Sequence, residues 1–303
     1  MKVLFAVDGS QAATQAVKQV ASLLCDQTDA AAFYFAPPDV HITHAHEAQA
    51  MQARAQKAIA DAVFEEARAQ LSGNLALGAK PIMAEHTPTE GILLESDKWS
   101  ADMIVVGARG LSTLDKLLLG SVADGVAQKS KIPVYVSRSR PEARAGLPLR
   151  VLYAYDGSKS STAALRLTEQ LHFPAGTQVL AMTVVESYSA GNVPDWIMNK
   201  ARTADVEAMG AAWQREYEED KRQALDQLAE FMRKQPAPFD KAETVVAEGH
   251  AAEQILRLVD ERGIDLVIMG MRGRNLLERL LLGSNSDKVL THAPCSVLLA
   301  RDA

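Results

Sequence analysis

Residues 3–10 read VLFAVDGS, a run of apolar residues closed by an aspartate, a glycine and a serine. Nearly the same stretch, VLYAYDGS, returns at residues 151–158, about half a chain length away in a chain of 303 residues. A short apolar run that ends at a turn signal is typical of a strand buried on both faces of a sheet. Two copies at this spacing indicate that one folding unit has been duplicated.

Two further pairs of matching segments occur later in each half. Residues 107–121 read GARGLSTLDKLLLGS, and residues 270–284 read GMRGRNLLERLLLGS. KIPVYVSR at 131–138 is then matched by HAPCSVLLAR at 292–301. Because the same segments recur in the same order, the duplication extends over almost the whole chain.

The segment between the two halves has the composition of a linker. Residues 138–149 read RSRPEARAGLPL, which combines arginines with two prolines and a glycine. We therefore predict a first domain over 1–140, a linker over 141–148 and a second domain over 149–303.

Apolar strand patterns alternate with helical patterns throughout both halves. The predicted strands lie at about 3–7, 30–36, 81–84, 103–106, 134–137, 150–155, 178–185, 242–247, 265–269 and 296–300. The main predicted helices lie at about 11–25, 47–71, 88–99 and 203–234. Short apolar strands separated by helices favour a parallel sheet covered on both faces. The predicted fold class is α/β, with two doubly wound, Rossmann-like domains of five strands each, whose ligands would bind outside the carboxyl ends of the strands.

Composition excludes several classes of protein. Hydrophobic residues make up 48% and charged residues 23% of the chain, which is ordinary for a globular protein and too apolar for wholesale disorder. A net charge of -6 disfavours a nucleic-acid partner, which usually needs a basic face. It leaves room for a small anion site built from backbone N–H groups.

The sequence also indicates a cellular compartment. The five apolar residues near the start are too few for a signal peptide, and no run approaches the roughly 20 residues needed to cross a bilayer. Cys25 and Cys295 belong to no metal-ligand spacing, and we interpret them as small buried thiols in a reducing environment. We expect a cytoplasmic protein without a membrane partner.

The strand ends carry the residues that point to chemistry. Asp8 and Asp156 follow the first strand of each half, and the fourth strand of each half is followed by the pattern G-x2-G-x9-G-S. The glycines of this pattern are Gly107, Gly110 and Gly120 in the first half and Gly270, Gly273 and Gly283 in the second. Glycines let the backbone approach phosphates closely, and the helix that follows adds the positive end of its dipole. The pattern therefore predicts a phosphate-binding loop that differs from a Walker A loop, because no GK[ST] follows the glycines.

Three further residue types fit the same ligand. Ser121 and Ser284 can cap the helix or donate to a phosphate oxygen, and Arg109 and Arg272 are counter-charges unless they are simply solvated. The strand-one aspartate can accept a hydrogen bond from a ribose hydroxyl or hold Mg²⁺ through water.

This combination of an early V-D-G-S and a G-x2-G-x9-G-[ST] loop, present twice, resembles the ATP-binding branch of the universal stress protein family. The resemblance implies a tandem member whose sheets have the strand order 3-2-1-4-5 between helix layers, with ATP lying across strands one and four. It assigns the aspartates, the loop glycines and the serines named above to ATP binding. It adds further contacts at Ala6, Phe35 and Val122 in the first half and at Ala154, Val184 and Asn285 in the second.

The resemblance also has consequences for assembly. The fifth strand of each half would be a sheet edge, and an edge must be paired or covered. Val134–Val136 and Val297–Leu299 are apolar enough to pair with each other, so the chain would form an internal pseudo-dimer, with a further homodimer left open. The family resemblance implies a regulatory protein with an unidentified protein partner rather than an enzyme.

Several alternatives stay open at this level. The same fold can carry a nucleotide-hydrolysing or adenylating enzyme, or an interaction module that binds no nucleotide. His41, His44 and His46 could hold a metal, although a solvated loop is the favoured interpretation. The first half is shorter beside the expected adenine pocket and has the bulkier Phe35, so we expect its site to be the narrower one.

Overall fold

The computed structural model describes residues 1–37, 46–83, 86–110, 119–139, 144, 146–185, 204–273 and 282–302. The strands are β1 Lys2–Ala6, β2 Ala30–Phe35, β3 Lys80–Met83, β4 Met103–Gly107, β5 Val134–Ser137, β6 Arg150–Ala154, β7 Gln178–Val185, β8 Glu243–Glu248, β9 Leu266–Gly270 and β10 Ser296–Ala300. The helices are α1 Gln11–Ala21, α2 His46–Arg68, α3 Gly73–Gly78, α4 Pro88–Trp99, α5 Ser121–Lys129, α6 Lys159–Thr168, α7 Ala204–Arg233, α8 Ala251–Arg262 and α9 Ser284–His292.

All described strands belong to one sheet. Its order is β3-β2-β1-β4-β5-β10-β9-β6-β7-β8, so each half has the order 3-2-1-4-5 and the two halves meet at their fifth strands. The pairings within each half are parallel. The α/β fold class and the strand order are therefore confirmed.

The two halves join through an antiparallel pairing of β5 with β10. The register places Val136 opposite Val297, Tyr135 opposite Leu298, and Val134 opposite Leu299. Each of these side chains is at most 4% exposed. The pairing expected from the apolar fifth strands is present, and it removes two sheet edges that would otherwise expose unpaired N–H and C=O groups.

A polar cluster beside this junction fixes its register. The Gln19 Oε1 atom accepts hydrogen bonds from Ser137 Oγ at 2.8 Å and from Ser296 Oγ at 3.0 Å. The Arg138 N–H donates to Ser296 Oγ at 3.0 Å. Because residues from both halves share one amide, a slip of either strand would leave buried polar atoms unpaired.

Helices cover both faces of the sheet because each presents one apolar stripe. In α1 the buried residues are Ala13, Ala16, Val17 and Val20, which recur at helical spacing. They join one core on the α1 side of the sheet, and a second core lies on the side of α4 and α5. The strands between these cores are apolar on both faces, as parallel strands require.

Some element boundaries differ from the predicted ones. The helix predicted over 11–25 ends at Ala21, and the short helix α3 was not predicted. The start of α3 depends on a distant residue, because the Leu75 N–H donates to Asp26 Oδ1 at 2.9 Å. A cap supplied from another element leaves no local signal in the sequence.

One arginine of the predicted linker is fixed against the second half. Arg144 donates to both carboxylate oxygens of Asp265, at 3.1 and 2.7 Å, and the Asp265 side chain is only 3% exposed. This hydrogen bond raises the pKa of Arg144 above its ordinary value. The same carboxylate accepts the N–H of Arg150 at 2.8 Å, so it ties the linker to the start of β6.

We expect Arg144→Ala to lower the free energy of unfolding by about 3 kcal/mol, because it leaves a buried carboxylate with fewer partners. Urea denaturation of the full chain measures this loss. The matched control is Arg257→Ala, whose pair with Glu261 is solvent-exposed and should contribute under about 1 kcal/mol. Equal losses in the two variants would contradict the prediction.

Candidate functional site

The two strand-one aspartates occupy the same tight turn in both halves. The Ser10 N–H donates to Asp8 Oδ1 at 3.0 Å, and the Ser158 N–H donates to Asp156 Oδ1 at 2.9 Å. The residues between them are glycines with positive φ, Gly9 at 78° and Gly157 at 73°. The turn holds one carboxylate oxygen and directs the chain into the next helix.

Helix starts around the site fall into two kinds. Ser10 caps α1 by accepting the Ala13 N–H, and Ser158 caps α6 by accepting the Ser161 N–H. In contrast, α5 and α9 begin behind glycines, Gly120 and Gly283, which have no side chain that could cap them. In the described residues, the first N–H groups of α5 and α9 therefore have no side-chain cap, and such helix starts favour negative charge.

The glycine loop lies directly against the strand-one aspartate. A Cβ atom on Gly110 would lie 2.5 Å from Asp8 Oδ2, and one on Gly273 would lie 3.2 Å from Asp156 Oδ2. Only a residue without a side chain allows this approach in the first half. The structure thus brings the carboxylate and the loop together in both halves, as their spacing predicts.

Gly107 and Gly270 also allow close packing of backbone on backbone. A Cβ on Gly107 would lie 3.2 Å from the Ala12 carbonyl carbon, and one on Gly270 would lie 2.7 Å from the Ser161 nitrogen. These atoms belong to the backbone of α1 and α6. The first glycine of each loop therefore lets the end of β4 or β9 pack closely on the neighbouring helix.

A cavity of about 250 Å³ lies at the carboxyl ends of β1 and β4. It is lined by every predicted site residue of the first half except Phe35: Ala6, Asp8, Gly107, Arg109, Gly110, Gly120, Ser121 and Val122. Tyr34, Ala36, Pro88 and Ile92 also line it and were not predicted. One end of the cavity thus carries the glycine loop and helix start, and the other end is mostly apolar.

Phe35 lies outside this cavity, on the opposite face of the sheet. Its ring contacts Phe64 edge-on, with ring centroids 6.2 Å apart. Side chains alternate along a strand, so Tyr34 and Ala36 face the cavity instead. Because Ala6 pairs with Tyr34 and Ala154 pairs with Met182, the first-half residue equivalent to Val184 is Ala36. The assignment of Phe35 by analogy with Val184 was therefore displaced by one residue.

The second half repeats this arrangement at β6, β9 and α9. The predicted residues there lie at the end of β6, at the end of β7, in the loop after β9 and at the start of α9: Ala154, Asp156, Val184, Gly270, Arg272, Gly273, Gly283, Ser284 and Asn285. Two serine hydroxyls brace this loop, since Ser158 donates to Arg272 O and Ser286 donates to Gly270 O. The first half has Ala123 where the second has Ser286. The cavity described above lies in the half whose site was expected to be narrower.

A second, larger cavity lies at the opposite edge of the sheet. It measures about 640 Å³ and lies beside the amino ends of β6, β7 and β8, where Arg150, Gln178, Glu243 and Arg262 line it. Arg262 forms an ion pair with Glu243, and Arg150 donates to Gln178 and to the Arg262 carbonyl oxygen. Arg262 and Glu243 thus neutralise each other, and no sequence motif pointed to this place.

The histidines and cysteines show no metal site in the described residues. Across the described ranges, no three His, Cys, Asp or Glu side chains are grouped so that they could hold a metal ion. His41 and His44 lie outside those ranges, and His46 opens α2 with a side chain that is not described. Cys25 and Cys295 are free; Cys295 is buried, which raises the pKa of its thiol to about 12, whereas Cys25 is only half-buried.

None of the helices in the described part of the chain is long and apolar enough to cross a membrane.

The fold and the repeated arrangement define a class: tandem, doubly wound α/β proteins with a glycine-rich turn beside the strand-one aspartate in each half. A family model described as "Universal stress protein family" matches residues 1–138 and again residues 149–301. The chain belongs to this family and carries its domain twice.

Individual relatives agree with this membership. A universal stress protein of Mycolicibacterium smegmatis is 27% identical over 69% of this chain, which spans 64% of that relative, just under two thirds of its length. A universal stress protein of Thermus aquaticus is 33% identical over 50% of this chain and 97% of its own length. The crystal structure of a universal stress protein from Archaeoglobus fulgidus superposes with a TM-score of 0.60 at 20% identity. The match covers 100% of this chain and 98% of the Archaeoglobus chain. That structural likeness shows the fold.

Proposed function

We propose that the chain is a stress-response regulatory protein that binds ATP, one nucleotide in each half, at the carboxyl edge of its sheet. The units would be residues 1–140 and 149–303, joined by the linker 141–148. The observation that carries the proposal is the cavity in which a strand-one aspartate, a glycine loop and an uncapped helix start converge. The same three features recur in the second half.

The phosphates would lie over the glycine loop. Backbone N–H groups at the start of α5, beginning with Ser121 and Val122, can donate to phosphate oxygens, and the helix dipole favours their negative charge. Arg109 lines the same cavity and supplies a formal positive charge. In the second half Ser284, Asn285 and Arg272 would take these roles.

The nucleoside would lie across β1 toward the apolar end of the cavity. Ala6, Ala36 and Ile92 form apolar walls there, which suit the face of a base. One oxygen of Asp8 is held by the Ser10 N–H, and the carboxylate can accept from a ribose hydroxyl or hold a hydrated Mg²⁺. Ala154, Val184 and Asp156 are the corresponding residues of the second half.

Regulation rather than turnover is the role we propose. The strand-one carboxylates are held by a backbone N–H and lie against the loop, an arrangement that positions a ligand. Nucleotide occupancy would then bias the conformation of the loops and the choice of a protein partner. We place this activity in the cytoplasm, in line with the free thiols of Cys25 and Cys295.

Thermal unfolding of the purified chain with and without Mg-ATP tests this proposal. A ligand at 100 times its Kd stabilises a protein by about 2.7 kcal/mol. For a half of this size, that corresponds to a rise in Tm of roughly 5–10 °C. No shift in a preparation free of co-purified nucleotide would contradict ATP binding, and rapid release of phosphate would contradict a purely regulatory role.

A further inference from the structure

A tyrosine at the apolar end of the first cavity has a hydroxyl group for which the described residues provide no hydrogen-bond partner. Tyr34 lines this cavity and is 2% exposed, and its Oη atom is buried with no partner in the described part of the chain. The hydroxyl lies against Gly91 of α4, where a Cβ atom would be only 1.8 Å from Oη. A glycine within a helix lowers helix stability, and at Gly91 it leaves space for this hydroxyl.

The second half has a different pair of residues at the equivalent positions. The strand register that pairs Ala6 with Tyr34 pairs Ala154 with Met182, so methionine replaces tyrosine. Gly91 is the fourth residue of α4, and the fourth residue of α8 is Gln254. The Gln254 Oε1 atom is also buried and also lacks a partner in the described residues.

The polar side chain therefore comes from a strand in the first half, Tyr34 on β2, and from a helix in the second half, Gln254 on α8. In the first half a long strand residue meets a helix glycine, and in the second half the equivalent strand position holds a methionine and the equivalent helix position a glutamine. A buried polar atom without a partner is unfavourable, and an apolar residue would fill the same space without that cost. An unpartnered oxygen on one member of this residue pair in each half points to a partner that arrives with the ligand.

We propose that Tyr34 in the first site and Gln254 in the second hydrogen-bond the base of the bound nucleotide and set base specificity. This inference rests on the proposed nucleotide binding. Burial raises the pKa of Tyr34 to about 12, so its hydroxyl keeps its proton and can donate. The Gln254 carboxamide carries both a donor and an acceptor, which complements the amino group and adjacent ring nitrogen of adenine. The second site would therefore prefer adenine over guanine more strongly than the first.

Isothermal titration calorimetry on single-site variants of the full chain tests the first site. Gly273→Val should abolish binding at the second site, so that only the first site is measured. Tyr34→Phe is then introduced into the Gly273→Val chain. We expect the Kd for Mg-ATP to rise about 3- to 10-fold, as for the loss of one hydrogen bond. The Kd for inorganic tripolyphosphate, which has no base, should stay unchanged. The Tm without ligand should stay constant or rise, because the removed hydroxyl has no partner.

The second site is tested in the Gly110→Val background. Gln254→Leu should raise the Kd for Mg-ATP about 3- to 10-fold and lower the preference for ATP over GTP by a similar factor. Exchanging the pair in the first half with Tyr34→Met and Gly91→Gln should then give the first site the ATP preference of the second.

Tyr153→Phe is the matched control in the single-site chain that retains the first site. The Tyr153 hydroxyl is buried and does have a partner, since it donates to the Ser161 carbonyl oxygen at 2.9 Å. Its removal should lower the Tm and leave the Kd of the first site unchanged. Tyr34→Phe should instead raise the Kd and leave the Tm constant or higher, as expected for a hydroxyl that binds ligand and does not stabilise the fold.

The outcomes distinguish this inference from the proposed function. If the unmodified chain binds no Mg-ATP, the proposed function fails. Suppose instead that the chain binds Mg-ATP and that Gly110→Val and Gly273→Val each abolish binding at one site. If Tyr34→Phe and Gln254→Leu then leave the Kd for Mg-ATP unchanged, base recognition by these two residues is overturned. The same holds if their losses are equal for Mg-ATP and tripolyphosphate.

Discussion

Replacing both Gly110 and Gly273 with valine should raise the Kd for Mg-ATP at least 100-fold while both halves stay folded. The added side chains would push on Asp8 and Asp156, whose carboxylate oxygens lie 2.5 and 3.2 Å from the new Cβ positions. They would also occupy the space in which the loop meets the phosphates. The nearest atoms belong to side-chain carboxylates rather than to backbone, so the fold can accommodate the change. Calorimetric titration measures the Kd, and circular dichroism checks the fold.

Gly78→Val is the matched control for this substitution. A Cβ on Gly78 meets no atom within 4 Å, so this variant should bind Mg-ATP like the unmodified chain. Asp156→Ala alone should weaken binding at the second site without unfolding that half. A folded double-valine variant with unchanged affinity would show that the glycine loops do not form the nucleotide sites.

Shortening Leu298 to alanine should remove about 2–5 kcal/mol from the free energy of unfolding. Leu298 is fully buried and lies opposite Tyr135 at the junction of the two halves. The cavity it leaves lies in a core that both halves share, so both should lose stability in the same urea transition. Leu77→Ala is the control, because Leu77 is 86% exposed and should change stability by less than about 0.5 kcal/mol. A loss below 1 kcal/mol for Leu298→Ala would show that the junction contributes little.

The sheet could be predicted from the sequence because its strands are short, apolar and followed by turn residues. VLFAVDGS and VLYAYDGS place β1 and β6, and the later repeated segments place β4, β5, β9 and β10 in the same way. The junction of β5 and β10 followed from one physical requirement, that an apolar edge strand must be paired. The loop glycines were found because their spacing is identical in both halves.

The remaining features depend on contacts that no local pattern records. Asp26 fixes the start of α3 from a different part of the chain. Phe35 was placed on the wrong face because a shift of one residue inverts the direction of a strand side chain. Tyr34 is an ordinary apolar residue of a strand in the sequence, and only the register of β2 against β1 and the fit against Gly91 bring it to the cavity.

Binding stoichiometry tests the central claim most directly. Calorimetric titration of the unmodified full chain, stripped of any co-purified nucleotide, counts the Mg-ATP molecules bound at saturation. The structure predicts two per chain, because both halves contain the aspartate, the glycine loop and the uncapped helix start. A count of one would contradict the equivalence of the halves, and the absence of saturable binding would contradict the assignment of these residues to a nucleotide.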